Sequence, residues 1–271
     1  MDGNTIKSDR LNYNVALRLW LILLFILVFI MIIVGGLTRL TDSGLSIVEW
    51  QPFTGIIPPL SEKEWVIEFE KYRLYPEFLS VNFAISISDF KEIYWYEWAH
   101  RILGRVIGLV FFIPMVWFII RRQINFSLAI NLLIILCLGG LQGFLGWYMV
   151  KSGLVDEPQV SPYRLAAHLG LALVILIYLL WVALGLINVR SSGARREGSY
   201  GYLRIILPIY IFIVFFTILT GAFVAGNEAG HLYNTFPLMD EHIVPPDIFV
   251  IDSVWRNFFE NAVLVQLDHR L

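Results

Sequence analysis

The stretch YEWAHRILGRVIGLVFFIPMVWFII, residues 96–120, decides how this chain is read. From Ile102 to Ile120 it is an apolar run of the length that crosses a bilayer as a helix. Its opening is different: Glu97, His100, Arg101 and Arg105 sit at the mouth of that run, where ionisable groups are costly and point to function.

Working outward, four more apolar runs of similar length appear, so the expected spans are roughly 17–38, 102–120, 127–149, 166–187 and 204–225. Hydrophobic residues make up 58% of the 271 and charged ones 15%, well below the quarter or so of a soluble domain. The reading is an all-α, polytopic membrane helix bundle. Pro114 and Pro208 inside two runs are compatible with it, because lipid-embedded helices tolerate proline. The first run is longer than the apolar part of a signal peptide and lacks a small-residue cleavage site after it, so it reads as a retained helix. A net charge of −2 argues against a nucleic-acid partner. The single cysteine, Cys137, cannot pair within the chain and reads as a small buried hydrophobe.

Basic residues give an orientation. Lys7, Arg10 and Arg18 precede the first span, Arg121 and Arg122 fill the second connection, and Arg190, Arg195, Arg196 and Arg204 fill the fourth. The positive-inside rule places these on the cytoplasmic or matrix side, so segments 39–101, 150–165 and 226–268 face outward. In the first outer loop, SEKEWVIEFEKYRLYPEF (61–78) has aromatic residues at helical spacing, which predicts an amphipathic helix lying on the outer surface. Tyr94, Trp95, Tyr96 and Trp98 fit an interfacial aromatic belt.

The chain also echoes itself. The first span ends GGLTRLTDSG (35–44) and the fifth ends GAFVAGNEAG (221–230); the loops that follow lead to His100-Arg101 and to His269-Arg270. This predicts a duplicated four-helix unit whose second copy is incomplete by about three helices. The expected division is a cytoplasmic N-terminus (1–16), an N-terminal four-helix half (17–190) and an incomplete C-terminal half (191–271).

Of the five histidines, His100 and His168 lie at similar depth on spans that both start on the outer side. Facing imidazoles suit axial ligation of a haem iron better than a zinc or copper site, which needs further ligands. The competing explanation is two interfacial imidazoles, and that plain reading suffices for His231 and His242 in a polar loop. Glu97, three residues before His100, is a candidate for proton relay or water activation, against a solvated interfacial acid. Arg101 and Arg105 are candidates for porphyrin propionates, against side chains that snorkel. Gly139, Gly143 and Gly146 allow close approach of a helix or a flat macrocycle. Gln142 reads as an interhelical hydrogen bonder. From the residues alone the chain reads as a multi-span membrane protein, with haem ligation favoured over interfacial placement for His100 and His168.

Seven ordered stretches carry a more specific likeness: VGGLTRLTDSGLSIVEW, EFEKYRLYPEF, YEWAHRILGR, FLGWYMVKSGL, YRLAAHLG, GAFVAGNEAGHLYNTFPLM and RNFFENAVLVQLDHR. Together they resemble the haem A synthase family, in its mitochondrial and alphaproteobacterial form. The resemblance implies oxidation of the C8 methyl of haem O to the formyl of haem A by two successive hydroxylations, for terminal oxidase assembly. It implies that His100 and His168 ligate the substrate haem and that Glu97 is catalytic. It also implies that His269 is an axial ligand of a haem b iron. Eight helices are implied, so the C-terminal three and the second histidine of the C-terminal pair fall outside this sequence. The implied location is a bacterial or mitochondrial inner membrane. A haem O synthase, an electron-transfer protein and a second copy of the chain are the partners it leaves open. The alternatives are a non-catalytic haem carrier or b-type electron-transfer protein, and, more weakly, a transporter suggested by the duplication.

Overall fold

The computed structural model describes residues 3–51, 54–153, 160–187 and 201–271, with side chains described from Val15 onward. Lys7, Arg10, Arg190, Arg195 and Arg196, used above for orientation, fall outside these side chains. Among the described residues the chain is helical without strands, and five helices are long and apolar enough to cross a membrane.

Helix α1 (Gly3–Leu40) shows how lipid and bundle divide one helix. Leu17, Leu21, Leu24 and Val28 recur at three- to four-residue spacing and are buried, whereas Leu19, Leu23, Ile26 and Phe29 point outward and stay exposed. The Trp20 indole donates to the Val110 carbonyl at 2.8 Å, which ties α1 to the second membrane-spanning helix. Two short helices follow in the first long loop, α2 (Glu62–Tyr72) and α3 (Pro76–Ser80). Next come α4 (Ile87–Ile120), α5 (Phe126–Gly153), α6 (Pro162–Gly185) and α7 (Leu203–Gly226). In the bundle, α6 is central: it packs against α1, α5 and α7, and α1 also packs on α4. Small residues on α6 allow this, with Ala166, Gly170, Ala172 and Ala183 all buried.

The largest departure from expectation is the start of α4. It begins at Ile87, not near 102, because Ser86 and Asp89 form a reciprocal capping box and no breaker follows. His100 therefore lies well inside the helix instead of opening it. The early turns carry Phe90 and Tyr94 into an aromatic cluster with Trp65, Tyr72 and Phe78. That cluster changes two expectations. The aromatic face of α2 packs on α4 and not on the membrane surface, and Tyr94 is core, not interfacial belt. The reason is proximity: α4 offers an aromatic partner surface that extends past the bilayer, so the apolar face of α2 is covered by protein. Cys137 is exposed on the outside of the bundle instead of buried.

At the same end of the molecule, the second long loop leads into α8 (Val254–Glu260) and α9 (Ala262–Arg270), the latter packed on α7. Asn257 and Asn261, both buried, organise it: the Asn257 amide pairs with the Ile251 backbone in both directions, and Asn261 caps α9 at Val263.

Candidate functional site

The two central histidines each sit on a glycine. His100, on α4, packs on α1, where a Cβ added to Gly35 would lie 3.3 Å from its Nε2. His168, on α6, packs on α5, where a Cβ on Gly146 would lie 3.1 Å from its Cε1. Any larger residue at either place would push the ring aside, so glycine here makes room for imidazole. Gln142, on α5, donates to the His168 carbonyl at 3.1 Å and lies 3.3 Å from its Nε2, the interhelical bond expected of it. His168 Nδ1 and Gln142 Oε1 are buried without a partner among the described residues.

Glu97 is not a solvated acid. It is 3% exposed and accepts four hydrogen bonds. Oε2 takes the Ile47 amide at 2.7 Å and the Ser46 hydroxyl at 2.8 Å. Oε1 takes Arg101 Nη2 at 2.6 Å and Nε at 3.0 Å. Arg101 in turn donates to the carbonyls of Ile47 and Glu49 and lies over the Trp50 ring. The pair thus clamps segment 46–49 onto α4 one turn from His100. Arg105 turns to the Gln51 carbonyl at 3.0 Å.

The second half of the chain repeats the backbone contacts of this clamp. Gln266 stands where Glu97 stands, three residues before the histidine, and its Oε1 accepts from the Tyr233 amide as Glu97 does from Ile47. Arg270 donates to the carbonyls of Tyr233 and Thr235 as Arg101 does to those of Ile47 and Glu49. His269 packs on Gly221 of α7, where a Cβ would come within 3.0 Å of its Cε1, as His100 packs on Gly35. Thr220 Oγ1 lies 3.0 Å from His269 Nδ1. Even the turns agree, since Asp42 and Glu228 both adopt left-handed backbone, with φ of 47° and 52°. One chemical difference stands out: a carboxylate in the first clamp, a neutral amide in the second. Arg39 joins the two, bonding Asp42 at 2.6 Å and the Ala225 carbonyl, 186 residues away, at 2.7 Å.

Of the residues singled out from sequence, Glu97, His100 and Arg101 share one stretch of α4, with Glu97 bound to Arg101, and His168 sits on α6 against Gln142 and Gly146 of α5. Arg105 lies at the edge of the α4 stretch, His269 belongs to the second clamp, and His231 and His242 stay exposed in the loop. Sequence reasoning did not find Ser46 and Ile47, the partners of Glu97. The shared GLTRLTDSG-type turn was the signal, since it delivers a fixed stretch of backbone to the helix.

Among the described residues no three His, Cys, Asp or Glu converge as a self-contained metal site. Two imidazoles over glycine cradles, with an orphaned ring nitrogen and a buried amide beside them, instead fit a flat ring that brings its own metal and needs only axial donors. For a resident haem at the second clamp the fit is one-sided: His269, with Nδ1 engaged by Thr220, offers Nε2 as one axial donor.

Fold and site together define a multi-pass membrane protein with imidazoles packed on glycine cradles within its helix bundle. The chain belongs to the COX15-CtaA family, described as cytochrome oxidase assembly protein, whose model matches residues 18–271. It is 51% identical to a haem A synthase of Nitrosospira multiformis, over 98% of this chain and 74% of the relative. It is 49% identical to those of Nitrosomonas eutropha (97% and 74%) and Parvibaculum lavamentivorans (99% and 76%). No solved structure matches.

Proposed function

We propose that this chain is an oxidoreductase that converts haem O to haem A, oxidising the C8 methyl to a formyl group for terminal oxidase assembly. Two hydroxylations of that carbon give a geminal diol, which loses water to leave the aldehyde. The observation that carries the reading is the pair of glycine-cradled imidazoles, His100 and His168, one turn from a buried carboxylate. Family membership supports it.

In this reading His100 and His168 hold the substrate by its iron, with Gly35 and Gly146 keeping the rings in place. Glu97 is anchored by four donors, so it acts through a fixed negative charge beside the reacting porphyrin, favouring cationic character there. Carrying a proton would require it to leave Arg101. His269 would hold a haem b, which would supply one-electron transfer. The neutral Gln266 in place of Glu97 suits a site that passes electrons without proton chemistry. The division is then an N-terminal extension (1–16), a substrate half (17–190) and an electron-transfer half (191–271). The membrane is the inner membrane, the N-terminus lies on the cytoplasmic side, and both clamps face outward. A haem O synthase is the natural source of so apolar a substrate, and an electron-transfer protein the natural acceptor.

The test is mass spectrometry of haem extracted from membranes that co-express this chain with a haem O source, in a host without its own haem A synthase. Haem A in the extract is the expected result. Haem O alone, with the chain expressed and bound to it, favours a non-catalytic haem carrier.

A further inference from the structure

A cavity of about 370 Å³ opens at the loop end of the bundle, between the first long loop, α4 and the end of α5. Two cations line it, Arg101 from α4 and Lys151 from α5, along with the indoles of Trp50 and Trp147. Each cation lies over one of those rings, Arg101 at 5.5 Å from the Trp50 centroid and Lys151 at 5.1 Å from that of Trp147. The two differ in what they have left to give. Arg101 is committed to Glu97 and to the Ile47 and Glu49 carbonyls. Lys151 makes no ion pair with any carboxylate among the described residues, so its ammonium and three N–H donors are available to an anion.

The placement relates the cavity to the imidazoles. Arg101 follows His100 directly. Lys151 lies five residues beyond Gly146, the cradle of His168, so about 7–8 Å farther toward the loop end at 1.5 Å per residue. Val150, four residues from Gly146 and therefore on its face of α5, also lines the cavity. A planar ring held at its centre by His100 and His168 would present its edge to this cavity. The apolar edge would stay in the bundle, and an anionic edge would meet indole walls and a free ammonium.

From this we infer that Lys151 anchors the propionate carboxylates of the substrate porphyrin, with Trp50 and Trp147 as the walls of the slot. Lys151 thereby sets which edge of the ring faces outward and which methyl faces the bundle. The inference rests on the haem-substrate reading above. It makes Lys151 a binding and orienting residue, and leaves Arg101 chiefly to hold Glu97.

The experiment is an absorbance titration of the full purified chain in nanodiscs with haem O and with its dimethyl ester. It is done with and without His269→Ala, so that the first site is read alone. The unaltered chain should prefer the free acid by about ten- to a hundredfold, the worth of one charge-assisted contact. Lys151→Gln should erase most of that preference while leaving ester affinity and the low-spin spectrum unchanged, and Lys151→Arg should restore it. Lys71→Gln, which removes a lysine already paired with Glu49 and Glu68, should keep the full preference. An undiminished preference in Lys151→Gln overturns the anchor but leaves the haem reading standing. If the unaltered chain shows no low-spin spectrum that depends on His100 and His168, the haem reading fails and the anchor falls with it.

Discussion

Glu97 and Gln266 hold the same place in two matched clamps, and the difference between them is one oxygen exchanged for an amide nitrogen. In the second clamp the exchange is harmless, because the Gln266 amide finds the carbonyls of Tyr233 and Gly230 to donate to. In the first clamp every neighbour of Glu97 is a donor: Ser46, Ile47 and Arg101. In either orientation a Glu97→Gln amide there points N–H groups at a group that can only donate, the Ile47 amide or the Arg101 guanidinium. We expect Glu97→Gln to lower haem A formation by more than tenfold, with haem still bound, at a stability cost of about 1–3 kcal/mol. Mass spectrometry of the extracted haem, read beside the absorbance spectrum, checks this. An unchanged haem A yield would remove Glu97 from the chemistry. Truncation to Glu97→Ala should cost more, about 3–5 kcal/mol, because it leaves Arg101 as a buried cation without its partner.

At the scale of elements, the first loop is a packed cap built on aromatic contacts, and it contains an acid of its own. Glu77, on α3, is buried, and its Oε2 has no partner among the described residues. Burial pushes its carboxyl up to about 8; Glu97 and Asp42 add repulsion, while the Tyr72 hydrogen bond and Arg39 oppose the rise. The fold therefore favours the neutral acid. Since the folded value is raised, the contribution is full below the unfolded value and is lost as pH rises through about 8. Amide exchange in α2 and α3 should accordingly speed up between about pH 5 and pH 8, beyond the intrinsic rise with pH, and follow that intrinsic rise alone above about 8. Glu77→Gln, always neutral, should flatten that extra dependence. If both proteins show the same pH profile, Glu77 is not the group that titrates.

At the scale of the whole molecule, the two clamps are joined at one end by Arg39, which reaches from its own turn to the Ala225 carbonyl and to within 3.6 Å of Glu228. Its guanidinium serves several acceptors at once in a fixed plane, a task that a lysine ammonium cannot copy. Arg39→Lys should therefore lower the thermal midpoint in detergent nearly as much as Arg39→Met. A lysine variant as stable as the unaltered chain would mean that charge alone, and not the shared geometry, holds the clamps together.

How much of this could be read from sequence varied with the range of the interaction. The membrane class and the five spans follow from local apolar length, which acts wherever the chain goes. The echo between GGLTRLTDSG and GAFVAGNEAG was likewise legible, because matched turns need matched residues. The early start of α4 was missed although its Ser86–Asp89 cap is local, since the charged turns before Ile102 masked a helix that continues past the bilayer. Only the tertiary structure could reveal that Glu97 is buried, that α2 packs on α4, or that Lys151 and Arg101 share a cavity. These depend on which distant backbone arrives beside a side chain. Ser46 and Ile47 reach Glu97 from about fifty residues away, and no periodicity or motif within α4 encodes their arrival.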